Sequence, residues 1–92
     1  MYIQLDQLDY EAIGKMISNV KDTSRAYIEY EDLIEIHFGK EITKHQENDY
    51  YNGTGAWITD NVDFSLFKVE CGDIEVKYDE KQLIKTIIEW LL

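Results

Sequence analysis

Few side chains in this sequence have the chemistry to act on a ligand, and their spacing narrows what that action is. His37 and His45 fall in one strand phase. Eight residues at ~3.3 Å each separate them by about 26 Å on a continuous strand, so they share no metal ion. Each is expected to face solvent. Cys71 is the one cysteine and lies in apolar phase, as a buried structural thiol does. No C-x-x-C pair accompanies it, and no zinc site is expected. No G-x-S-x-G elbow presents a nucleophilic serine. Carboxylates are plentiful. Glu29, Glu35, Glu41, Glu70 and Glu75 are expected on the open face of a sheet. Water screens them there and keeps them from the split pKa values that acid–base work needs.

The stretch NDYYNGTGAW, Asn48 to Trp57, concentrates aromatic, amide and glycine residues. Asn48, Asp49, Asn52, Asp60 and Asn61 cluster around it, but the EF-hand pattern fails because Tyr50 falls at its third loop position. Gly53-x-Gly55 lacks the third glycine, the lysine and the following helix of a phosphate loop. Two readings remain, and they are compatible. Asn52-Gly53 is a type I′ turn signal flanked by strand residues. Tyr50, Tyr51, Asn52 and Trp57 also have the composition of a recognition surface, with rigid aromatic anchors beside adaptable polar groups.

These residues must be positioned by a small scaffold. Ninety-two residues make one domain, and 45% hydrophobic content with 13% aromatics argues against disorder. Nine basic residues face nineteen acidic ones, for a net charge of −10. Direct binding to nucleic acid or to an anionic membrane is disfavoured, because both need Lys and Arg. A basic protein partner fits the charge, as does solubility alone. The single cysteine and the opening MYIQLD, which lacks a basic signal-peptide start, point to the cytoplasm, with Met1 as the native start. The Asn52-Gly53-Thr54 sequon then carries no meaning.

Leu8, Ala12, Ile13, Met16, Ile17 and Val20 recur at helical spacing after the capping residue Asp6. Gly14 is expected to allow that helix to pack closely on a sheet. Ala26 to Tyr30 and Ile34 to Phe38 alternate as strands. Tyr30 is set opposite Ile34 and Ile28 opposite Ile36, around a short loop at Glu31-Asp32-Leu33. Ala56 to Cys71 reads as a strand whose apolar phase slips near Leu66-Phe67, the mark of a β-bulge. A turn at Gly72-Asp73 should bring a fourth strand alongside, pairing Cys71 with Ile74, Val69 with Val76, Phe67 with Tyr78 and Glu70 with Glu75. Asp79 caps a last helix, with Gln82 where a capping box puts its partner and Leu83, Ile84, Ile87, Ile88 and Leu91 on one face. The expected fold is α+β: a two-layer sandwich in the order helix, four-stranded antiparallel meander, helix, with both helices on one sheet face.

The segment ENDYYNGTGAWITDNVDF, Glu47 to Phe64, resembles a segment of small uncharacterised proteins of bacterial prophages and mobile elements. The resemblance implies a bacterial accessory protein and brings no functional residues with it. Taken with the chemistry, the sequence points to a small acidic, non-enzymatic interaction module without cofactors. Self-association through sheet edges or the Trp90 end is one form it could take. Two alternatives are an acidic mimic of nucleic acid and a small enzyme built on a buried carboxylate.

Overall fold

The computed structural model of the chain describes residues 1–48 and 55–92. Along them run β1 (Tyr2–Gln4), α1 (Gln7–Ser18), β2 (Thr23–Tyr30), β3 (Ile34–Asn48), β4 (Gly55–Glu70), β5 (Glu75–Lys77) and α2 (Glu80–Leu91). The fold is α+β, with a three-stranded sheet in the order β2-β3-β4 and a separate pair, β1-β5.

Helix α1 starts where Asp6 and Asp9 cap each other. The Asp9 N–H donates to Asp6 Oδ1 at 3.1 Å and the Asp6 N–H to Asp9 Oδ2 at 2.8 Å, which satisfies two donors that a helix start leaves free. The buried face carries Tyr10, Ile13, Gly14 and Ile17. Leu8 and Met16, expected in the apolar stripe, are exposed. Tyr10 takes the inward position because its hydroxyl has work there. It accepts from the Asp79 N–H at 2.7 Å and reaches the Leu5 carbonyl at 3.4 Å, tying together the entries to both helices.

The β2-β3 register is the expected one, with Tyr30 opposite Ile34 and Ile28 opposite Ile36. The turn between them holds Glu31 and Asp32 at φ 58° and 56°. This left-handed region costs an L residue roughly 1–2 kcal/mol, less for Asp, and the closed register offsets it. Between β3 and β4 the pairing jumps from His37↔Lys68 to Phe38↔Leu66, so Phe67 is the extra residue of a bulge where the phase slip was expected. Phe67 is expected on the core face. It is instead about half exposed, with the Arg25 guanidinium 5.0 Å from its ring centroid. A second bulge follows at Asp60, between Thr43↔Asn61 and Lys44↔Thr59. Where β2 bulges between Thr23 and Ala26, its backbone presses on Gly39: a Cβ there would lie 2.4 Å from the Ser24 carbonyl oxygen.

The fourth strand of the expected meander is not laid on β4. Only Cys71↔Ile74 pairs across Gly72-Asp73, where Gly72 adopts φ 50°. Beyond that bridge β5 turns to run parallel with β1, in the register Tyr2↔Glu75, Ile3↔Val76, Gln4↔Lys77. Val69↔Val76, Phe67↔Tyr78 and Glu70↔Glu75 therefore do not form. The pairing depends on a segment without periodicity of its own, because Tyr2–Gln4 supplies the edge that β5 takes.

The core gathers Ile13 and Ile17 from α1, Ile28, Ile36 and Phe38 from the sheet, and Leu83 and Ile87 from α2. The helices pack chiefly on each other. Gly14 faces α2 rather than the sheet, with Trp90 Cδ1 where a Cβ would meet it at 2.6 Å. Asp79 caps α2 by accepting from the Gln82 N–H at 3.2 Å. The Gln82 side chain leaves the capping box open and donates to Gln7 Oε1 at 3.1 Å, while Gln7 Nε2 donates to buried Thr86.

Strands β3 and β4 are about twice as long as β2, and their outer halves stand clear of the body. The molecule measures 60 × 24 × 21 Å with a radius of gyration of 15.9 Å. A compact chain of this length would have about 12 Å. The excess is a two-stranded arm beyond Lys40, the last β3 residue paired with the β2 strand.

Candidate functional site

Two features of the surface bear on function: the arm, and a row of charged residues on the sheet. The arm begins where Asp22 covers the edge that β2 leaves. Its Oδ2 accepts from the Ile42 N–H at 3.0 Å. From there Glu41–Asn48 pairs with Gly55–Asp63 and, among the described residues, with no third strand. An isolated two-stranded ribbon is marginal in water, so side chains along the arm must hold it. His45 is one such clamp. Its Nδ1 is 2.6 Å from Asp60 Oδ1 and its Nε2 is 3.4 Å from Glu47 Oε1. The hydrogen bond with Asp60, then that with Glu47, raises the imidazole pKa above 6.5. His45-Gln46-Glu47 forms an H-x-E triplet. Because the two carboxylates take opposite nitrogens of the ring, they do not converge on one point.

Of the residues singled out as a recognition loop, Trp57 lies on the arm opposite Gln46, with 68% of its surface exposed. Tyr50, Tyr51 and Asn52 lie outside the described residues, as do Asp49 and the Asn52-Gly53 turn. Uninterrupted alternation along β3 puts Gln46, and so its partner Trp57, on the face that also carries Ile42 and Phe38. That face is core at one end and open at the other.

The five glutamates expected on one acidic face divide into three places. Glu29, Glu35 and Glu70 form one cross-strand row, through the pairs Glu29↔Glu35 and Glu35↔Glu70. Glu41 is opposite Asp63 at the base of the arm, and Glu75 belongs to the β1-β5 pair. The row beside the glutamates is Tyr27, His37 and Lys68. The Tyr27 and His37 rings stack with centroids 5.3 Å apart. Lys68 Nζ pairs with Glu70 Oε1 at 3.3 Å. His37, expected to face solvent, keeps only 19% of its side-chain surface, and its Nε2 is buried without a hydrogen-bond partner, 3.6 Å from Glu70 Oε1.

Lys40 is the residue that sequence reasoning passed over. It is 3% exposed, and its ammonium donates to the carbonyls of Ile17 and Ser18 at 2.8 and 3.3 Å. These are among the last carbonyls of α1, and that of Ile17 also accepts from the Val20 N–H at 3.1 Å. Burial lowers the Lys40 pKa, opposed by the nearby Asp22 carboxylate. The signal was available: Lys40 stands in the apolar phase of Ile34, Ile36, Phe38 and Ile42. A shallow depression lined by Thr23, Ser24, Gly39, Lys40, Glu41, Asp63 and Ser65 lies beside it, and its carboxylates Glu41 and Asp63 are both exposed. Cys71 is buried, as expected, and is a free thiol.

No family model, curated protein or solved structure matches the chain. Among the described residues, no helix is long and apolar enough to cross a membrane.

Proposed function

We propose that this chain is a small, non-enzymatic interaction module of the cytoplasm that engages a protein partner through the β3-β4 arm. One observation carries the reading: Trp57 is largely exposed on a ribbon that stands outside the packed body. A solvent-facing tryptophan costs apolar surface that contact with a partner recovers, and Trp is a favoured anchor of interfaces. The ribbon also leaves main-chain groups on its edges free for a further strand. Tyr50, Tyr51 and Asn52 extend the same stretch of sequence and belong to the proposed contact.

In this reading both helices lie on the sheet face that carries Ile28, Ile36 and Phe38, in the two-layer arrangement the sequence suggested. The Glu29, Glu35 and Glu70 row is left outward. A net charge of −10 favours a partner with a basic surface, and a second copy of the chain is the other candidate. The acidic-mimic reading is weaker, because Lys68 and the arm separate the carboxylates. Among the described residues, the shallow depression offers a catalytic reading only the exposed carboxylates of Glu41 and Asp63. The resemblance of Glu47 to Phe64 to prophage proteins suits a bacterial accessory role.

Photo-crosslinking tests this. An amino acid carrying a photoreactive group is placed at Trp57, and in a second variant at Asp73, an exposed turn position away from the arm. Discrete adducts from position 57 and none from 73, in the expressing cell, are expected. Equal labelling from both positions, or a monomer with no adduct from 57, overturns the proposal.

A further inference from the structure

We propose that Glu35, His37 and Glu70 form a binding site for a divalent transition-metal ion such as zinc. Their ligand atoms already lie within 4.8 Å of one another. The backbone brings them together by register. Glu35 and His37 are two apart on β3 and so share a face, and Glu70 is directly opposite Glu35 on β4. A tetrahedral ion with bonds of about 2.0–2.2 Å needs ligand atoms roughly 3.3 Å apart. His37 Nε2 and Glu70 Oε1, at 3.6 Å, are nearly there.

The observation that points to a ligand is the buried imidazole nitrogen. His37 Nε2 has no partner, and it is aimed at a carboxylate that Lys68 already holds. A buried polar atom of this kind is rare in a folded protein and calls for a missing partner. Tyr27 stacks against the ring and fixes its plane. Glu35 and Glu70 are like charges set directly opposite, which is unfavourable, and Lys68 pairs with Glu70 alone of the two. One divalent ion answers both needs, since it neutralises two carboxylates and accepts the nitrogen lone pair. An imidazole nitrogen beside carboxylates favours zinc and the later first-row transition metals over calcium and magnesium, which take oxygen ligands. Three protein ligands leave a fourth position open to water. The site lies apart from the arm and stands or falls independently of the function proposed above.

Equilibrium dialysis with zinc alone, and cobalt absorption spectra to report coordination number, provide the test. The wild-type chain is expected to take up one equivalent. Glu35→Gln, His37→Gln and Glu70→Gln should each weaken binding by at least about tenfold, since even outer-shell partners are worth 10–100-fold. Glu29→Gln, in the same row but outside the ligand set, should change little. Lys68→Met should tighten binding several-fold, because it removes the cation that competes for Glu70 Oε1. This gain of affinity cannot come from a misfolded variant. Absence of saturable one-to-one binding overturns the proposal. So does binding that survives His37→Gln but is lost in His45→Gln, which would place the ion on the arm.

Discussion

The ammonium of Lys40, from the middle of β3, lies 2.8 Å from the carbonyl oxygen of Ile17 and closes the C-terminal end of α1. A strand thereby adds a side-chain cap to a helix end where the Asn19 N–H already reaches back to the Met16 carbonyl. The same lysine marks the last residue at which β3 still has β2 beside it. Helix end, sheet edge and arm base meet at one side chain.

Replacing Lys40 with Met keeps the aliphatic stem and removes the donor. Two carbonyls then lose a charged partner, while the cost of burying that charge disappears. The net loss should be about 1 kcal/mol at neutral pH, the low end for bonds of this kind, and urea unfolding measures it. The pH dependence has a definite sign. Burial lowers the Lys40 pKa in the folded state below its ordinary 10.5, so a further increment of stability, beyond the hydrogen bonds present at neutral pH, is fully present above 10.5 and is lost as pH falls through the folded value. Lys40→Met should flatten that alkaline slope.

Tyr30 presents the opposite case. Its hydroxyl donates to Asp9 Oδ1 at 2.6 Å, and that bond first, then burial, pushes its pKa up to about 12. A raised acid stabilises fully below its unfolded value of 10.0, and the gain is lost as pH rises from there through about 12. Ultraviolet titration should find one tyrosine ionising near 12 in wild type and missing from Tyr30→Phe. Tyr78 is also raised, by burial and then by Glu80, so the Tyr30→Phe variant is the comparison that isolates the bond. Loss of a bond to a charged acceptor should lower stability by about 1.5 kcal/mol. On the Asp9 side, burial pushes the carboxyl up, but the bonds from Tyr30 and the Asp6 N–H outweigh it and hold it below 3.8. That contribution is present above 3.8 and fades as pH falls through the folded value.

His45 should make the arm sensitive to pH. A histidine raised above 6.5 stabilises fully below 6.5, and the effect is lost as pH rises through the folded value. Protection of the His45↔Ile58 region from hydrogen exchange should therefore be highest in mild acid and decline above it. His45→Gln should remove this dependence without altering protection in the core helices. Asp60→Asn should bring the imidazole back toward 6.5, as followed by NMR titration.

Gly14→Ala separates helix propensity from packing. Alanine in a helix interior is favoured over glycine by about 1 kcal/mol. Here its Cβ would meet Trp90 at 2.6 Å, so the single variant should lose roughly 1–3 kcal/mol. In a Trp90→Ala background the collision is gone and the same substitution should stabilise. Thermal unfolding of the four proteins of this cycle reads the change of sign.

Periodic segments were legible in the sequence because burial dictates their pattern. The register of Ile28 with Ile36, the bulge at Phe67 and the caps at Asp6 and Asp79 all follow from side chains that must face one way. The β1-β5 pair was not legible, since three residues carry no period and parallel pairing joins distant parts of the chain. The fate of Phe67 was missed for a related reason: a bulge re-aims the residue that makes it. The Glu35, His37 and Glu70 constellation was invisible from spacing alone. Half of it is an i, i+2 pair that any strand shows, and the other half comes from a neighbouring strand whose register no local rule supplies. Lys40 was legible in principle, as a charge in an apolar phase.

The β1-β5 pair also sets an order of assembly. Leu5 donates its N–H to the carbonyl of Lys77, so the body closes only when segments more than seventy residues apart have met. The β2-β3 hairpin needs a three-residue connection and has no such delay. A chain emerging from the ribosome can therefore build its hairpin early, but must hold Tyr2–Leu5 unpaired until β5 has been made. During that interval Ile3 and Leu5 are apolar surface without the core that later covers them.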